Sequence, residues 1–390
     1  MQAVNFSFHL IKDVLESINI DKLEKQRFLQ NSTCHAFKLR GIPVSIVPLL
    51  KQLASNGKTT IIFAESRSQP DTDIDAVISG SSKELATICH KLNERGGKAG
   101  ELGATLQHAL NKLNQKPTKI LCLGDHTFNL DNNTVIMGIL NVTPDSFSDG
   151  GRFDQVENAL DQAYKMAEDG ADIIDIGGES TRPGSQQIDA AEELKRVMPV
   201  IKGLKNDNNF KLPLSIDTYK AAVAEEALEA GVEMLNDVWG LKKDWEIGGV
   251  AARYRVPVCL MHNRRSTDYE DLIFDIIVEL KESIDLAHNS GIDDQQIIID
   301  PGIGFGKNLE QNLKVMQHLQ DLCSLGYPLL LGTSRKSMIG KTLDLPIEER
   351  LEGTAATVAY GISAGANIIR VHDVLQMKRV AVMTDAIIRR

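Results

Sequence analysis

The chain has 390 residues, which is enough for one large domain and one smaller domain. Its apolar content of 42% and charged content of 25% are those of an ordinary globular protein, and no apolar run approaches the roughly 18 residues of a membrane span. The formal net charge of −10 argues against a nucleic-acid-binding surface over the whole molecule, although a local anion site is still compatible with it.

The cysteines and the N-terminus predict the compartment. Five widely spaced cysteines, an odd number without a C-x-x-C pair, are typical of reduced thiols in a cytosolic protein. The first residues lack the basic region and apolar core of an export signal. We therefore expect a cytoplasmic protein that binds neither nucleic acid nor membranes.

The first section, residues 1–118, predicts a small α/β domain. Strands are expected at 59–64 and 74–79, and helices near residues 21–30, 44–54, 83–95 and 105–114. No catalytic constellation is present in this section, and the residues from Gln115 to Thr118 suit a domain boundary. The sequence assigns this domain no role, and a separate partner-binding function remains open.

Residues 119–390 predict a larger domain in which strands and helices alternate after a short hairpin at 120–123 and 127–130. Eight strands are predicted at residues 135–141, 172–176, 212–216, 232–236, 256–260, 296–300, 328–332 and 366–371. A helix follows each one, at residues 154–169, 190–205, 219–230, 244–254, 270–290, 309–324, 347–364 and 374–388. Eight such units match a (β/α)8 TIM barrel, and an open doubly wound sheet is the alternative.

Nearly every predicted strand is followed by an unusual polar cluster. The longest begins where the apolar strand 136–140 gives way to Asn141 and a run with Phe147 and Asp149. Any single cluster could be a helix cap or a turn, but that run is too long for a turn, and long ordered loops tend to be functional. In a barrel these strand ends meet at one face, where barrel active sites lie.

Two sets of these polar residues suggest binding chemistry. Asp217, Asn236 and Asp300 could line a slot that grips a flat heterocycle, because carboxylates accept hydrogen bonds and an amide both donates and accepts. The alternative is a set of helix-capping residues. The second set is cationic and suits a phosphate or a diphosphate, and the alternative is a set of solvated surface charges. Its members are Arg182, Arg335, Lys336, Arg370 and His372.

These motifs together resemble those of the dihydropteroate synthase family. They are the stretch from Asn141 to Gly151, Glu179-Ser-Thr-Arg-Pro-Gly184, Ser215-Ile-Asp-Thr218, Asp300-Pro-Gly-Ile-Gly-Phe-Gly-Lys307, Ser334-Arg-Lys-Ser337 and Arg370-Val-His-Asp373. The resemblance covers about residues 120–390. Residues 1–118 are similar to an N-terminal extension of some longer synthases and lie outside the minimal enzyme.

The resemblance implies a reaction and a set of roles. The family condenses 6-hydroxymethyl-7,8-dihydropterin diphosphate with p-aminobenzoate, which gives 7,8-dihydropteroate and diphosphate. It implies pterin binding by Asp217, Asn236, Asp300 and Lys336, diphosphate binding by Asn141, Thr181, Arg370 and His372, and p-aminobenzoate binding by Phe147, Arg182, Pro183, Phe305 and Ser337. Catalytic roles are implied for Asp149, Lys336, Arg370 and His372, with Asn141 linked to Mg2+ and a homodimer as the assembly.

An SN1-like path fits this chemistry, because the pterin can stabilise a cation while diphosphate departs, and no residue resembles an activated nucleophile. A methyltetrahydrofolate:corrinoid methyltransferase is the nearest alternative function. Such a barrel shares the pterin slot but needs no diphosphate site. A non-catalytic pterin-binding barrel is the second alternative, although no motif residue is missing here.

Overall fold

The computed structural model divides the chain into two compact units, Met1–Lys116 and Pro117–Arg390. Each unit has hydrophobic clusters made of its own residues. That residues 1–118 and 119–390 are separate domains stays a prediction. The structure describes residues 34–55, 59–64, 73–114, 119–143, 152–180 and 187–389.

The first unit contains a three-stranded antiparallel sheet in the order β1-β3-β2, formed by Cys34–Ile42 (β1), Thr60–Phe63 (β2) and Ile74–Ser81 (β3). Strand β1 was not predicted. In this strand Lys38 is exposed and Leu39 is buried. Charged residues interrupt the apolar residues, so the sequence shows no clear apolar run here. The helix predicted near residues 21–30 lies outside the described residues.

Three helices complete the described part of this unit: Val47–Ser55, Ser82–Arg95 and Gly97–Asn114. The last begins eight residues before the predicted start at 105, because its glycines do not break the helix and one of them serves close packing. A Cβ at Gly103 would lie 2.9 Å from the Cys89 carbonyl and 2.9 Å from the Leu92 Cβ. The glycine thus allows the two helices to approach closely.

The second unit is a (β/α)8 TIM barrel, as predicted. A hairpin of Ile120–Leu123 (β4) and His126–Asn129 (β5) precedes a parallel sheet in the order β11-β10-β9-β8-β7-β6-β13-β12. A parallel bridge between Ile299 and Leu329 joins the two ends of this sheet. Its strands are Val135–Asn141 (β6), Ile173–Gly177 (β7), Leu214–Asp217 (β8), Met234–Asp237 (β9), Val258–Met261 (β10), Ile297–Asp300 (β11), Leu330–Leu331 (β12) and Ile368–Val371 (β13).

Several barrel strands begin two residues later than predicted, and three of them follow a proline. Pro213, Pro257 and Pro328 accept hydrogen bonds through their carbonyls from the neighbouring strand. They have no N–H to donate, so regular pairing starts after each of them.

Helices surround the barrel at Arg152–Glu168, Ala190–Asn206, Ala221–Glu229, Glu246–Tyr254, Leu272–Asn289, Leu309–Gln317, Leu319–Cys323, Ser337–Leu343, Leu351–Ser363 and Val374–Ile388. The predicted helix 309–324 is divided at His318, and Ser337–Leu343 is an additional helix. Within the described parts of the chain, no helix has both the length and the apolar character that crossing a membrane requires.

The barrel interior has an apolar floor. The cluster at this level takes side chains from most of the barrel strands and from the hairpin leucines Leu121 and Leu123, which plug the N-terminal end. The strand residues are Val135, Met137, Ile173, Met234, Cys259, Ile298, Leu330 and Ile368. Residues two positions further along a strand point to the same side, so the next interior layer lies nearer the C-terminal ends.

We predict that a fragment starting at Pro117 folds without the first unit. Lys119 belongs to the barrel, because its Nζ donates to the Tyr327 carbonyl at 3.2 Å and to Asn367 Oδ1 at 3.3 Å. A cut before Pro117 therefore leaves the barrel core intact. Circular dichroism should show one cooperative thermal transition, and an aggregated or molten fragment would contradict the prediction.

Candidate active site

The second interior layer of the barrel is polar. Stepping two residues along the strands leads from Ile173 to Asp175, from Met234 to Asn236, from Ile298 to Asp300 and from Ile368 to Arg370. Asp217 joins this layer from β8, and its Cα pairs with that of Asn236. The predicted heterocycle-binding residues thus meet at the C-terminal face because strand alternation repeats around the barrel.

Arg370 is held between two buried carboxylates. Its Nε donates to Asp175 Oδ2 at 2.6 Å, and its Nη2 donates to Asp217 Oδ2 at 2.7 Å. The Arg370 side chain is 19% exposed, whereas those of Asp175 and Asp217 are 0% and 6% exposed. The guanidinium therefore neutralises charge inside the barrel and reaches toward its mouth.

Burial shifts the pKa values of the carboxylates in this layer. Desolvation raises the pKa of Asp217 to about 7, although Arg370 opposes the shift. Desolvation also raises the pKa of Asp300, which accepts a hydrogen bond from the Gly302 amide at 2.7 Å. Hydrogen bonds donated by the N–H groups of a ligand would stabilise both groups, because their charged forms are poorly solvated.

Lys336 lies on the other side of the slot, after β12. Its Nζ donates to the Ile303 carbonyl and lies 4.8 Å from the centre of the Phe305 ring. Burial lowers the pKa of Lys336 to about 8, against the opposing effect of Asp300. A Cβ at Gly304 would approach Lys336 Cδ to 3.2 Å, so the glycine leaves room for the lysine stem.

Two other members of the predicted basic set have protein partners. His372 Nδ1 lies 3.0 Å from Ser334 Oγ, and the His372 amide donates to the same oxygen at 3.2 Å. Arg335 has a left-handed backbone, with φ of 54°, and makes a bidentate pair with Asp373. Arg335 and Arg370 therefore both make salt bridges, but Arg370 lies on β13, which lines the slot, and His372 follows that strand.

Asn141 ends β6 at the edge of the same layer and is half-buried. A Cβ at Gly177 would lie 3.8 Å from Asn141 Oδ1 and 3.6 Å from Asp217 Cβ, so these two side chains flank Gly177. No group of three or more His, Cys, Asp or Glu side chains that could hold a metal occurs in the described residues. An amide oxygen is nevertheless a suitable ligand for Mg2+, which keeps several waters and uses few protein ligands.

The residues predicted to bind p-aminobenzoate are only partly described. Phe305 is half-buried beside Lys336, and Ser337 is exposed at the start of the helix Ser337–Leu343. The other predicted site residues lie outside the described residues; they are Phe147, Asp149, Thr181, Arg182 and Pro183.

Sequence reasoning missed a buried lysine–histidine pair beside the slot. Lys307 Nζ lies 2.9 Å from His262 Nδ1 and donates at 3.0 Å to each of the Gly302 and Phe305 carbonyls. Burial lowers the pKa of Lys307 to about 7 and that of His262 to about 4. This pair fixes the turn that carries Phe305, and only the three-dimensional contact reveals it.

A second missed group surrounds Glu179. Its carboxylate accepts from the Tyr219 hydroxyl at 2.9 Å, from the Ile188 amide at 3.4 Å and from Lys220 Nζ. Lys220 also binds the buried Glu193. The carboxylate thus links residue 188 to the end of β7. The only sequence signal for this group was that Glu179 begins the motif Glu179-Ser-Thr-Arg-Pro-Gly184.

A separate cavity of about 560 Å3 lies at the opposite, N-terminal face, where Thr134 precedes β6. Its charged residues are paired with one another: Lys378 binds Asp172 at 2.8 Å, and Arg389 Nε lies 2.7 Å from Asp385. The slot at the C-terminal face is therefore the better candidate active site.

The His262 environment predicts a specific pH dependence of stability. An unfolded histidine takes up a proton near pH 6.5, whereas buried His262 does so only near pH 4, so its contribution to stability is lost as the pH falls from 6.5 to 4. In His262→Gln, the slope of unfolding free energy against pH should decrease by up to roughly one proton in this range. Urea titrations at several pH values measure the slope. Replacing the more exposed His318 with Gln is the control, and equal slopes in both variants would contradict the prediction.

Comparisons with known proteins agree with this geometry. The family model described as a pterin binding enzyme matches residues 137–372. The dihydropteroate synthase of Clostridium beijerinckii is 56% identical over 269 residues, which are 69% of this chain and 99% of that protein. The Bacillus subtilis dihydropteroate synthase is 49% identical over 284 residues, which are 73% of this chain and 97% of that protein.

Solved structures of dihydropteroate synthases also match. One from Clostridium difficile, determined in the presence of pteroic acid, is 54% identical with a TM-score of 0.66, and the match covers 67% of this chain and 100% of that one. One from Xanthomonas albilineans with 4-aminobenzoic acid is 41% identical with a TM-score of 0.66, covering 70% and 98%. The chain therefore belongs to the pterin-binding enzyme family, among the dihydropteroate synthases, which are transferases of folate biosynthesis.

Proposed function

We propose that the protein condenses 6-hydroxymethyl-7,8-dihydropterin diphosphate with p-aminobenzoate to form 7,8-dihydropteroate and diphosphate. The observation that carries this proposal is a buried layer of carboxylates and an amide with cations beside it. Such a layer suits a flat heterocycle rich in N–H groups that carries an anionic leaving group. Relatives solved with pteroic acid and with 4-aminobenzoic acid support the same substrate pair.

The pterin ring occupies the slot between Asp217, Asn236, Asp300 and Lys336 in this proposal. The carboxylates accept hydrogen bonds from ring N–H and amino groups, and the Lys336 ammonium donates to ring acceptors. Phe305 supplies an apolar surface beside Lys336. Together these groups orient the exocyclic carbon toward the mouth of the barrel.

The leaving diphosphate is received by Arg370, His372, Thr181 and Asn141. Arg370 is preorganised by its two carboxylates, so it can stabilise developing negative charge without a large rearrangement. Asn141 is the residue that would hold Mg2+, and the bound ion would supply charge neutralisation at the diphosphate oxygens.

The bond changes follow an SN1-like path. The carbon–oxygen bond breaks with both electrons going to diphosphate, the arylamine nitrogen then forms the new bond with its lone pair, and one amine proton is released. Asp149 stabilises the cation or orients the amine. The p-aminobenzoate pocket uses Phe147, Arg182, Pro183, Phe305 and Ser337. Excluding water matters, because water would compete with the amine for the cation.

Two alternatives have different requirements. A methyltetrahydrofolate:corrinoid methyltransferase would use the pterin slot but has no need of His372 and Arg370 as anion ligands. A non-catalytic pterin-binding barrel would need no diphosphate site either. Arg370 on β13 and His372 directly after it therefore favour the synthase.

We propose a homodimer in the cytoplasm. Five exposed apolar side chains lie on the last two helices, and such side chains commonly mark an interface; they are Tyr360, Val382, Met383, Ile387 and Ile388. The cysteines at 89, 122, 259 and 323 are free thiols, which suits a reducing compartment.

The reaction is tested by diphosphate release from the purified protein. We expect release only when dihydropterin diphosphate, p-aminobenzoate and Mg2+ are all present, with dihydropteroate formed in equal amount. Omitting the amine or adding a chelator provides the controls. Tight pterin binding without turnover would contradict the proposal and favour the methyltransferase or the non-catalytic barrel.

Lys336→Gln should raise the KM for dihydropterin diphosphate by about tenfold or more, because a charged hydrogen bond is lost. In the unchanged protein this KM should also rise above about pH 8, where Lys336 loses its proton. The variant should lack that rise. Lys341→Gln, an exposed lysine on the adjoining helix, is the control, and an unaltered KM in Lys336→Gln would exclude the assigned role.

Ile387→Asp should convert the proposed dimer to a monomer, because an exposed apolar contact would become a buried charge. Analytical ultracentrifugation at several concentrations measures the mass. Val278→Asp changes an exposed apolar residue on another helix and should leave the mass unaltered. A monomeric parent protein would overturn the dimer proposal.

A further inference from the structure

Asp175 is the most buried carboxylate of the polar layer, and the proposed reaction gives it no contact with a substrate. It lies within β7, and its side chain is completely buried. One of its oxygens, Oδ2, accepts from Asn236 Nδ2 at 3.0 Å and from Arg370 Nε at 2.6 Å. Asp175 therefore connects a proposed pterin ligand to a proposed diphosphate ligand.

The contact with Asn236 determines which end of the amide faces the slot. Only the NH2 end can face a carboxylate oxygen, because the amide oxygen would be repelled by it. The Asn236 oxygen and its second N–H are then left for the ligand. Without Asp175 the two amide orientations would differ little in energy, and the slot could offer a donor where it now offers an acceptor.

The contact with Arg370 determines the plane of the guanidinium. A single bond from Nη2 to Asp217 would allow the group to swing about that contact. The second bond, from Nε to Asp175, fixes the plane at two points. An arginine fixed in this way meets the ligand in one orientation.

The layer also contains buried oxygens that no donor among the described residues satisfies. Asp175 Oδ1, Asp217 Oδ1 and Ser215 Oγ are buried and make no hydrogen bond to another described residue. Their Cα positions adjoin across β7 and β8, where Asp175 pairs with Ser215. The Asn236 oxygen is the acceptor that the contact with Asp175 leaves for a ligand.

We propose that Asp175 is a positioning residue that sets the donor and acceptor pattern of the slot by orienting Asn236 and Arg370. The inference rests on the proposed function, since the heterocycle being recognised is the pterin. The class of ligand it selects is a heterocycle with an amino group, as opposed to one with a carbonyl group in its place.

A purely structural role is the competing explanation, and the chain offers a matched control for it. Asp385 also pairs with an arginine, Arg389, and accepts from a neutral donor, the Thr134 hydroxyl at 2.8 Å. It lies beside the start of β6, at the face opposite the slot. Asp385→Asn should therefore lower stability without altering ligand preference.

The test measures calorimetric affinities of the full-length protein for 6-hydroxymethylpterin and for 6-hydroxymethyllumazine, in which a carbonyl replaces the amino group. We expect the parent protein to prefer the pterin. Asp175→Ala should weaken pterin binding about tenfold and reduce the preference by a similar factor, because a buried hydrogen bond is lost. Asp175→Asn retains one acceptor oxygen and should give a smaller reduction of both.

Kinetics of the same variants provide a readout that a loss of stability would not change. The KM for dihydropterin diphosphate should rise about tenfold in Asp175→Ala, while the KM for p-aminobenzoate stays within about twofold of the parent value. Asp385→Asn should show a lower melting temperature with an unaltered pterin-to-lumazine ratio.

The possible outcomes distinguish failure of the inference from failure of the proposed function. A folded Asp175→Ala with the parent ratio would overturn the inference while leaving the synthase proposal standing. If Asp175→Ala does not fold, Asp175→Asn decides, and an unaltered ratio there overturns the inference. Failure of the parent protein to bind the pterin would overturn the proposed function, and the inference with it.

Discussion

Strand alternation in a closed parallel barrel is the constraint on which the rest of this structure depends. Interior side chains recur every second residue, so each strand contributes successive levels to the space inside. The lower level is filled by apolar residues and closed by the hairpin leucines. The level above it receives polar and charged residues from several strands, and these lie toward the C-terminal ends of the strands.

Such a polar level is costly unless its charges are paired. Arg370 is matched by Asp175 and Asp217, and Lys336 lies close enough to Asp300 to influence its pKa. The raised pKa of Asp217 shows that the pairing compensates desolvation only in part. A ligand that donates hydrogen bonds to these carboxylates would supply the remaining stabilisation of their charges. In this way a site can be prearranged for binding.

The barrel could be predicted from the sequence, and so could the face on which the candidate site lies, because apolar runs followed by polar clusters recur eight times. The contacts that individual side chains make across the barrel could not be predicted from the sequence. Asp175 stands in an apolar strand as an isolated acid, and Lys307 and His262 are separated by 45 residues in the chain. Arg335 was grouped with the anion-binding cations, whereas the structure pairs it with Asp373.

Some boundaries of strands and helices that were predicted from local residue types were also wrong. Prolines at the beginning of strands continue an apolar run but cannot donate to the sheet, so three strands were drawn too early. Gly103 looks like a helix breaker, whereas it serves the contact between two helices. In both cases the residue type suggests one role, and the neighbouring element decides another.

The shortness of β12 affects how the slot can admit a flat molecule. This strand has two residues, and one bridge between Ile299 and Leu329 joins it to β11. Asp300 follows the bridge on one side, and Lys336 follows β12 on the other. The seam with the fewest paired residues in the described barrel thus lies between Asp300 and Lys336, so any shift across this seam would change the distance between these two slot residues.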